Sequence, residues 1–555
     1  MLAALLGAVV LLLAVVPAVR LAAAGLMPEG RVDLSALTRV LAAPATWTAL
    51  DHTLATAAAG TAVSLLLGGG AALLVSLTDV RFRAAMVFAF MLPLMIPAHI
   101  TAIAWIELCG PASPLLRPLG LAPPPGTPHP LYGFGGISLL LGIEHAPLVF
   151  LALRAGLRTL PREALEAAQA AGAGPWRRLA TIVLPMSLPA VTAGAALAFV
   201  SCIGNFGTPA LLGIPGGYSV LTVLIYQKLA GFGPRVLPDV AALSLLLGVV
   251  AAIGVAAQEA INRRSNARTT LTTGARIATV PLGRWQLPTE AAAWLLIGFL
   301  VVMPLAALLG TSLVGAYGVP LRWDTATLDN YRYVLLQHAA TARAFRNSFG
   351  LAAASAALLM PVSIGLAYLV TRRRDRVARF LNRAAELPYA VPGTVLSIAC
   401  ILVFLKPLPL LGMTLYDTPW IILFAYLARF LTLALRPAVA GCLQTDPAYE
   451  EAARMSGAGF ARRLLTIVTP LVAPAAGAGA LLVFLVAFNE LTVSALLWSS
   501  DNETLGVVVF GLEQAGDNAP AAALAILAVL VTLTLMALAT AAGRRLPEGV
   551  LPWHA

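Results

Sequence analysis

Lysine is almost absent from this 555-residue chain. Only Lys228 and Lys406 occur, and neither follows the Gly-x4-Gly run whose backbone cradles nucleotide phosphates. A nucleotide-hydrolysing site of its own is therefore excluded. Charged residues of all kinds make up 11% of the chain, against about 25% in soluble domains, which excludes an ordinary soluble fold. Cysteine is also scarce: Cys109, Cys202, Cys400 and Cys442 form no CxxC pair and have no histidine at ligand spacing, so they read as small buried hydrophobes. The six histidines, His52, His99, His129, His145, His338 and His554, are scattered and belong to no HExxH or Ser/His/Asp array. No catalytic residue, resident metal or cofactor is expected in this chain.

What is abundant is apolar sequence: 59% of residues are hydrophobic and the mean hydropathy is +0.88. Runs of about 20 apolar residues cross a hydrocarbon core of roughly 30 Å as helices. Twelve such runs are legible, near 2–26, 53–77, 84–106, 132–153, 181–203 and 237–257, then 289–314, 350–370, 380–404, 419–440, 467–488 and 520–541. The first lacks a basic leader and is long enough to cross, so it reads as a retained span rather than a signal peptide. The expected fold class is an all-α integral membrane protein.

Arginine marks the topology. With the N-terminus placed in the cytoplasm, 24 of the 36 Lys and Arg fall in the inner loops and the C-terminal tail, including Arg81, Arg83, Arg268, Arg276, Arg372, Arg373, Arg374, Arg544 and Arg545. By the positive-inside rule both termini are cytoplasmic. The net charge of +11 is thus a topology signal and not a nucleic-acid footprint, and the partner it implies is a lipid bilayer. Of the outer segments, 489–519 has no Lys or Arg but holds Glu490, Asp501, Glu503, Glu513 and Asp517, an acidic rim. Segment 204–236, with GIPGGY and GFGPR, reads as turns and extended backbone.

The chain also repeats itself. Glu166–Met186 and Glu451–Leu471 are identical at thirteen of twenty-one positions with an offset of 285 residues, and Pro93 and Pro97 match Pro388 and Pro392 at an offset of 295. Two tandem six-helix repeats follow, 1–257 and 289–555, joined by a polar cytoplasmic linker at 258–288. Each re-enters the membrane from the same side, so a pseudo-twofold axis lies along the membrane normal. In each copied loop, helix-forming residues precede Gly172 or Gly457, and a second glycine follows at Gly174 or Gly459. A second short helix then exposes Arg177 and Arg178, or Arg462 and Arg463. The expectation is a compact helix-turn-helix on the cytoplasmic face.

Glu-Ala-Ala, three residues, Gly, nine residues, Ile, one residue, Leu-Pro resembles the EAA motif of permeases in binding-protein-dependent ABC importers. The first copy has it as Glu166, Ala167, Ala168, Gly172, Ile182, Leu184 and Pro185, and the second as Glu451, Ala452, Ala453, Gly457, Ile467 and Pro470, with Thr469 in place of Leu. The resemblance covers nearly the whole chain. It implies that each loop docks on a cytoplasmic ABC ATPase subunit, two copies in all. ATP and Mg are then bound by that partner, and a periplasmic or lipid-anchored binding protein delivers the cargo. The implied location is the bacterial inner membrane.

For a path through the membrane, ionisable residues inside spans are the markers. Glu144 and Arg429 stand at equivalent positions of the two halves and are candidates to pair across the axis. Asn205 and Glu490, after the fifth span of each half, are a second candidate. The stretches 204–217 and 488–506 resemble those of fused ferric iron permeases, although an acidic residue is common where Asn205 stands. Permeases for thiamine, aminoethylphosphonate and polyamines share the architecture. A twelve-span secondary transporter driven by an ion gradient is the reading of a different class.

Overall fold

The computed structural model describes residues 2–27, 31–158, 160–266, 281–373, 375–407 and 412–543. The middle of the expected linker, 267–280, lies outside these residues, as do Arg268, Arg276, Arg374, Arg544 and Arg545. Its start does not behave as a loop. The sixth helix of the first half runs Val236–Asn266, carrying 258–266 as helix, because Gln-Glu-Ala-Ile-Asn-Arg-Arg favours helix once a span has nucleated it.

The chain is helical, with one isolated β-bridge, Val314 to Ala326, among the described residues. Ten described helices are long and apolar enough to cross a bilayer, and two bent pairs bring the number to twelve. The first half has Leu2–Leu26, Pro44–Leu77, the pair Arg83–Met95 with Ala98–Cys109, Phe134–Leu157, Pro175–Gly204 and the sixth helix. The second has Gly283–Ser312, Ala339–Arg373, the pair Arg376–Ala390 with Gly393–Phe404, Pro419–Gln444, Phe460–Phe488 and Asn518–Gly543.

The third span of each half is an elbow, bent by 99° in the first and 106° in the second. The aligned prolines cause it. Ile96 and Val391, each just before a proline, are extended at φ −83°, ψ 133° and φ −86°, ψ 135°. The proline ring disfavours the α region for its predecessor and Pro97 or Pro392 cannot donate the next helical bond.

Prolines also widen straight spans. Wide π-turns at Leu11–Val15, Leu179–Val183, Gly298–Val302 and Leu464–Val468 each end two residues before a proline, namely Pro17, Pro185, Pro304 and Pro470. The ring would strike the carbonyl four residues back, and the wider turn relieves the clash.

The halves are interlocked, since the first span of each packs on the broken span of the other. A Cβ added at Gly365 of the second half would lie 2.8 Å from Leu6 Cδ1, and one at Gly310 would lie 2.7 Å from Pro114 of the first half. Trp105 meets Phe299 edge-on at 5.4 Å. Thr311 Oγ1 donates to the buried Glu107 carboxylate at 2.8 Å, and Asn518 Nδ2 at 3.2 Å. Between the second and fourth spans, Gly60, Gly68 and Gly142 allow near-contact of backbones, the small-residue packing expected where lipid supplies no hydrophobic driving force.

Candidate functional site

Both copied loops fold alike. Arg162–Ala170 and Ala448–Met455 form short helices, ended by Gly172 at φ +78° and Gly457 at φ +81°. In the first copy Gly172 N–H donates to Gln169 O at 3.0 Å and Ala173 N–H to Ala168 O at 2.9 Å; in the second, Gly457 donates to Arg454 O and Ala458 to Ala453 O, each at 3.0 Å. This pair of bonds is the Schellman motif, whose left-handed residue is glycine because a Cβ there is strained. The motif's Gly is thus a helix stop repeated with the same geometry in each half.

The second short helix is not a separate element. Pro175–Arg178 and Phe460–Arg463 are the first turns of the fifth spans, continuous through the π-turn into the membrane helix. Each loop is therefore an elbow: a short exposed helix, a glycine stop, then a span. Gly174 and Gly459 are extended, at φ −62°, ψ 166° and φ −65°, ψ 164°, and need no left-handed freedom. Glu166, Ala167, Glu451 and Ala452 are exposed, Ala168 and Ala453 half-exposed, and Arg177 and Arg462 exposed. Arg178 Nη1 instead donates back to Gln169 Oε1 at 2.9 Å, closing the first elbow.

The inner sides of the two elbows differ in chemistry. Leu165 packs into an apolar cluster with Phe150, Leu157 and Val183. Its equivalent is Glu450, which accepts a 2.6 Å bond from Tyr368 Oη and lies 4.0 Å from Arg463 Nε. Phe460 stacks edge-on with Tyr368 at 5.7 Å. The outer sides differ too. Trp176, after the glycine, is 83% exposed in the first copy, and Met455, before it, is 89% exposed in the second. Sequence reasoning passed over Tyr368 and Glu450; the signal was the acid standing where the other copy has Leu.

Tyr368→Phe removes one charge-assisted bond, a loss of about 1.5–3 kcal/mol. Hydrogen exchange should speed up through 448–458 and leave 162–173 unchanged. Equal effects on both elbows would contradict this asymmetry.

The membrane-embedded candidates form pairs within each half. Glu144, 5% exposed, accepts from Asn205 Nδ2 at 2.9 Å and Thr208 Oγ1 at 2.5 Å. Its carboxylate is engaged by Asn205 and Thr208, and among the described residues no ion pair with Arg429 across the axis is formed, Arg429 lying beside Glu490 instead. In the second half Glu490 is buried and accepts from the N–H groups of Val493 at 2.7 Å and Ser494 at 3.0 Å. Arg429 is its charged neighbour; one guanidinium nitrogen is buried without a hydrogen-bond partner, and it sits where a Cβ on Gly393 would fall, 2.4 Å away.

The same two positions are therefore occupied in opposite senses: carboxylate on the fourth span and amide after the fifth in one half, guanidinium and carboxylate in the other. Glu490 is accordingly no part of an exposed rim. The turns expected after the fifth spans contain short helices, Gly207–Gly213 and Leu221–Leu229, then Ser494–Leu497 and Leu505–Ala515. Thr208, three residues after Asn205, and the buried His99, whose Cβ lies 3.3 Å from a Cβ added at Gly207, were not singled out by the sequence. Among the described residues no three His, Cys, Asp or Glu side chains converge in a way that could hold a metal ion.

Comparison with known proteins gives two matches to one family, described as the inner membrane component of binding-protein-dependent transport systems, over residues 60–267 and 336–547. A probable ABC transporter permease of Sinorhizobium fredii is 27% identical over 464 residues, covering 82% of this chain and 80% of that one. A ferric transport system permease of Actinobacillus pleuropneumoniae is 25% identical over 410 residues, 73% of this chain but 58% of its own length. A putative 2-aminoethylphosphonate permease of Salmonella typhimurium is 34% identical over 98 residues, 18% of this chain and 34% of that one.

Proposed function

From the premise that this chain belongs to the family of binding-protein-dependent transport permeases, with both copies fused, we propose that it imports ferric iron, driven by two copies of a separate cytoplasmic ATPase. The observation that carries the docking role is the duplicated elbow: two exposed helices, each ended by the same Schellman glycine and each continuous with a fifth span. A rigid connection of this kind converts movement of a bound ATPase into tilt of the span, a rigid-body transition. ATP and Mg belong to that partner. The arginine distribution supports placing both elbows and both termini in the cytoplasm, and the opposite face then receives the binding protein.

Ferric iron is favoured by the ferric permease among the relatives and by the oxygen-bearing Glu144, Asn205 and Glu490, which suit a hard cation better than a soft one. The neutral amide of Asn205, and carboxylates already hydrogen-bonded to Thr208, Val493 and Ser494, argue for transient passage rather than stable ligation. The test is ATPase activity of the reconstituted complex with ferric-loaded binding protein. Stimulation by that form, and not by thiamine- or phosphonate-loaded forms, is expected; the reverse pattern contradicts the cargo. Uptake driven by an ion gradient with no ATPase present contradicts the class.

A further inference from the structure

On the face opposite the elbows, the segments that follow the fifth spans are equivalent in fold and opposite in charge. Residues 204–236 contain Lys228 and Arg235 and no acid, whereas 489–519 contain no base and expose Asp501 and Asp517, with Glu490 and Glu503 buried. The helices Leu221–Leu229 and Leu505–Ala515 meet near the pseudo-axis, where Tyr226 and Phe510 pack edge-on at 6.1 Å. At the offset of 285, Lys228 corresponds to Glu513 and Phe232 to Asp517.

The basic side is also shaped. A cavity of about 390 Å³ is lined by Lys228, Phe232, Arg235 and Asp239 among others. Asp239 is already taken, since Arg39 Nη2 holds it at 2.8 Å, so the notch keeps two exposed cations. Phe232 stands at its lip fully exposed, at 101%. The acidic side is built as well. Arg343 bridges Glu503 at 3.1 Å and Asp501 at 3.3 Å, and Asn347 Nδ2 donates to the Asp501 and Glu503 carbonyls at 3.0 Å each. Burial pushes the Glu503 carboxyl up, but the hydrogen bonds and charge of Arg343 outweigh it and hold it below the ordinary carboxylate range. One arginine serves two acids there, leaving Asp501 largely exposed, with Asp517 exposed beyond it.

We infer that the delivering binding protein seats in a single orientation, placing an acidic patch on the Lys228–Phe232–Arg235 notch of the first half and a basic patch on the Asp501–Asp517 rim of the second. Opposed charges on equivalent elements break the pseudo-symmetry that would otherwise let a delivering protein land either way round. Wrong-way docking then sets like charges against each other, which specificity by repulsion uses. Phe232 supplies the apolar anchor beside the cations. This inference rests on the importer reading above.

The test uses the whole chain with its ATPase in nanodiscs and the binding protein encoded beside that ATPase. Lys228→Glu with Arg235→Glu should weaken docking about tenfold or more at low salt and flatten its salt dependence. ATPase association should be unchanged, which shows the variant is folded. Single cysteines replacing Phe232 and Asp517 should each cross-link to a different side of the binding protein. Cross-linking of both positions to the same side, or docking unchanged by the charge reversals, overturns the inference while leaving the importer reading intact. A wild-type complex that no binding protein docks on or stimulates overturns both.

Discussion

Glu166→Lys combined with Glu451→Lys will release the ATPase from the chain and bring uptake to background, while the chain remains folded in the membrane. The two carboxylates are exposed on the short helices, whose inward packing is made by the neighbouring Leu165 and Glu450, so they stand where a docked partner would meet them. Interface charges paired across a desolvated contact cost about 2–5 kcal/mol when one partner is lost, a fall in affinity of roughly 30-fold or more per site. Pull-down of ATPase by each single variant should show partial loss, and the double variant none retained. Full association by the double variant would remove the docking role from these residues. Gly172→Val and Gly457→Val are expected to act similarly through the backbone, since a β-branched residue at φ near +80° loses the helix stop.

Arg429→Met will be more damaging to folding than Glu144→Gln, despite their equivalent positions. Glu490 is buried, and removing its charged neighbour leaves an uncompensated carboxylate, at a cost of about 3–5 kcal/mol. Glu144 is held by a neutral amide and a hydroxyl; Gln keeps one acceptor oxygen for Asn205, and its amide N–H can donate to the Thr208 hydroxyl, which accepts as well as donates. Thermal denaturation in detergent should show a large drop for Arg429→Met, a small one for Glu144→Gln, and recovery of most of the loss in Arg429→Met with Glu490→Gln. Exchanging Glu144 and Arg429 should rescue nothing, because they do not touch. Rescue by that exchange would reinstate a bond across the pseudo-axis.

The span count, the repeat and the like fold of the two copied loops were legible because each leaves a local mark: apolar runs, a preserved Glu-Ala-Ala and glycine, aligned prolines. The same prolines hinted at the elbows, but a 99° bend is not visible in a hydropathy run that continues through it. The pairing partners of Glu144 were hidden because Asn205 and Thr208 arrive from a different segment, and position alone suggested Arg429. The interlocking of first spans had no local signature at all; Leu6 against Gly365 and Pro114 against Gly310 are meetings of residues hundreds of positions apart. Nor did composition separate the buried Glu490 from the exposed Asp501, because burial there depends on the short helix whose N–H groups Glu490 accepts.

Native mass spectrometry of the complex purified from membranes tests the central claim most directly. One copy of this chain with two ATPase subunits is predicted, falling to one ATPase when either elbow is disabled by its Glu→Lys substitution. A chain that carries no ATPase, and that moves cargo in vesicles on an ion gradient alone, would contradict it.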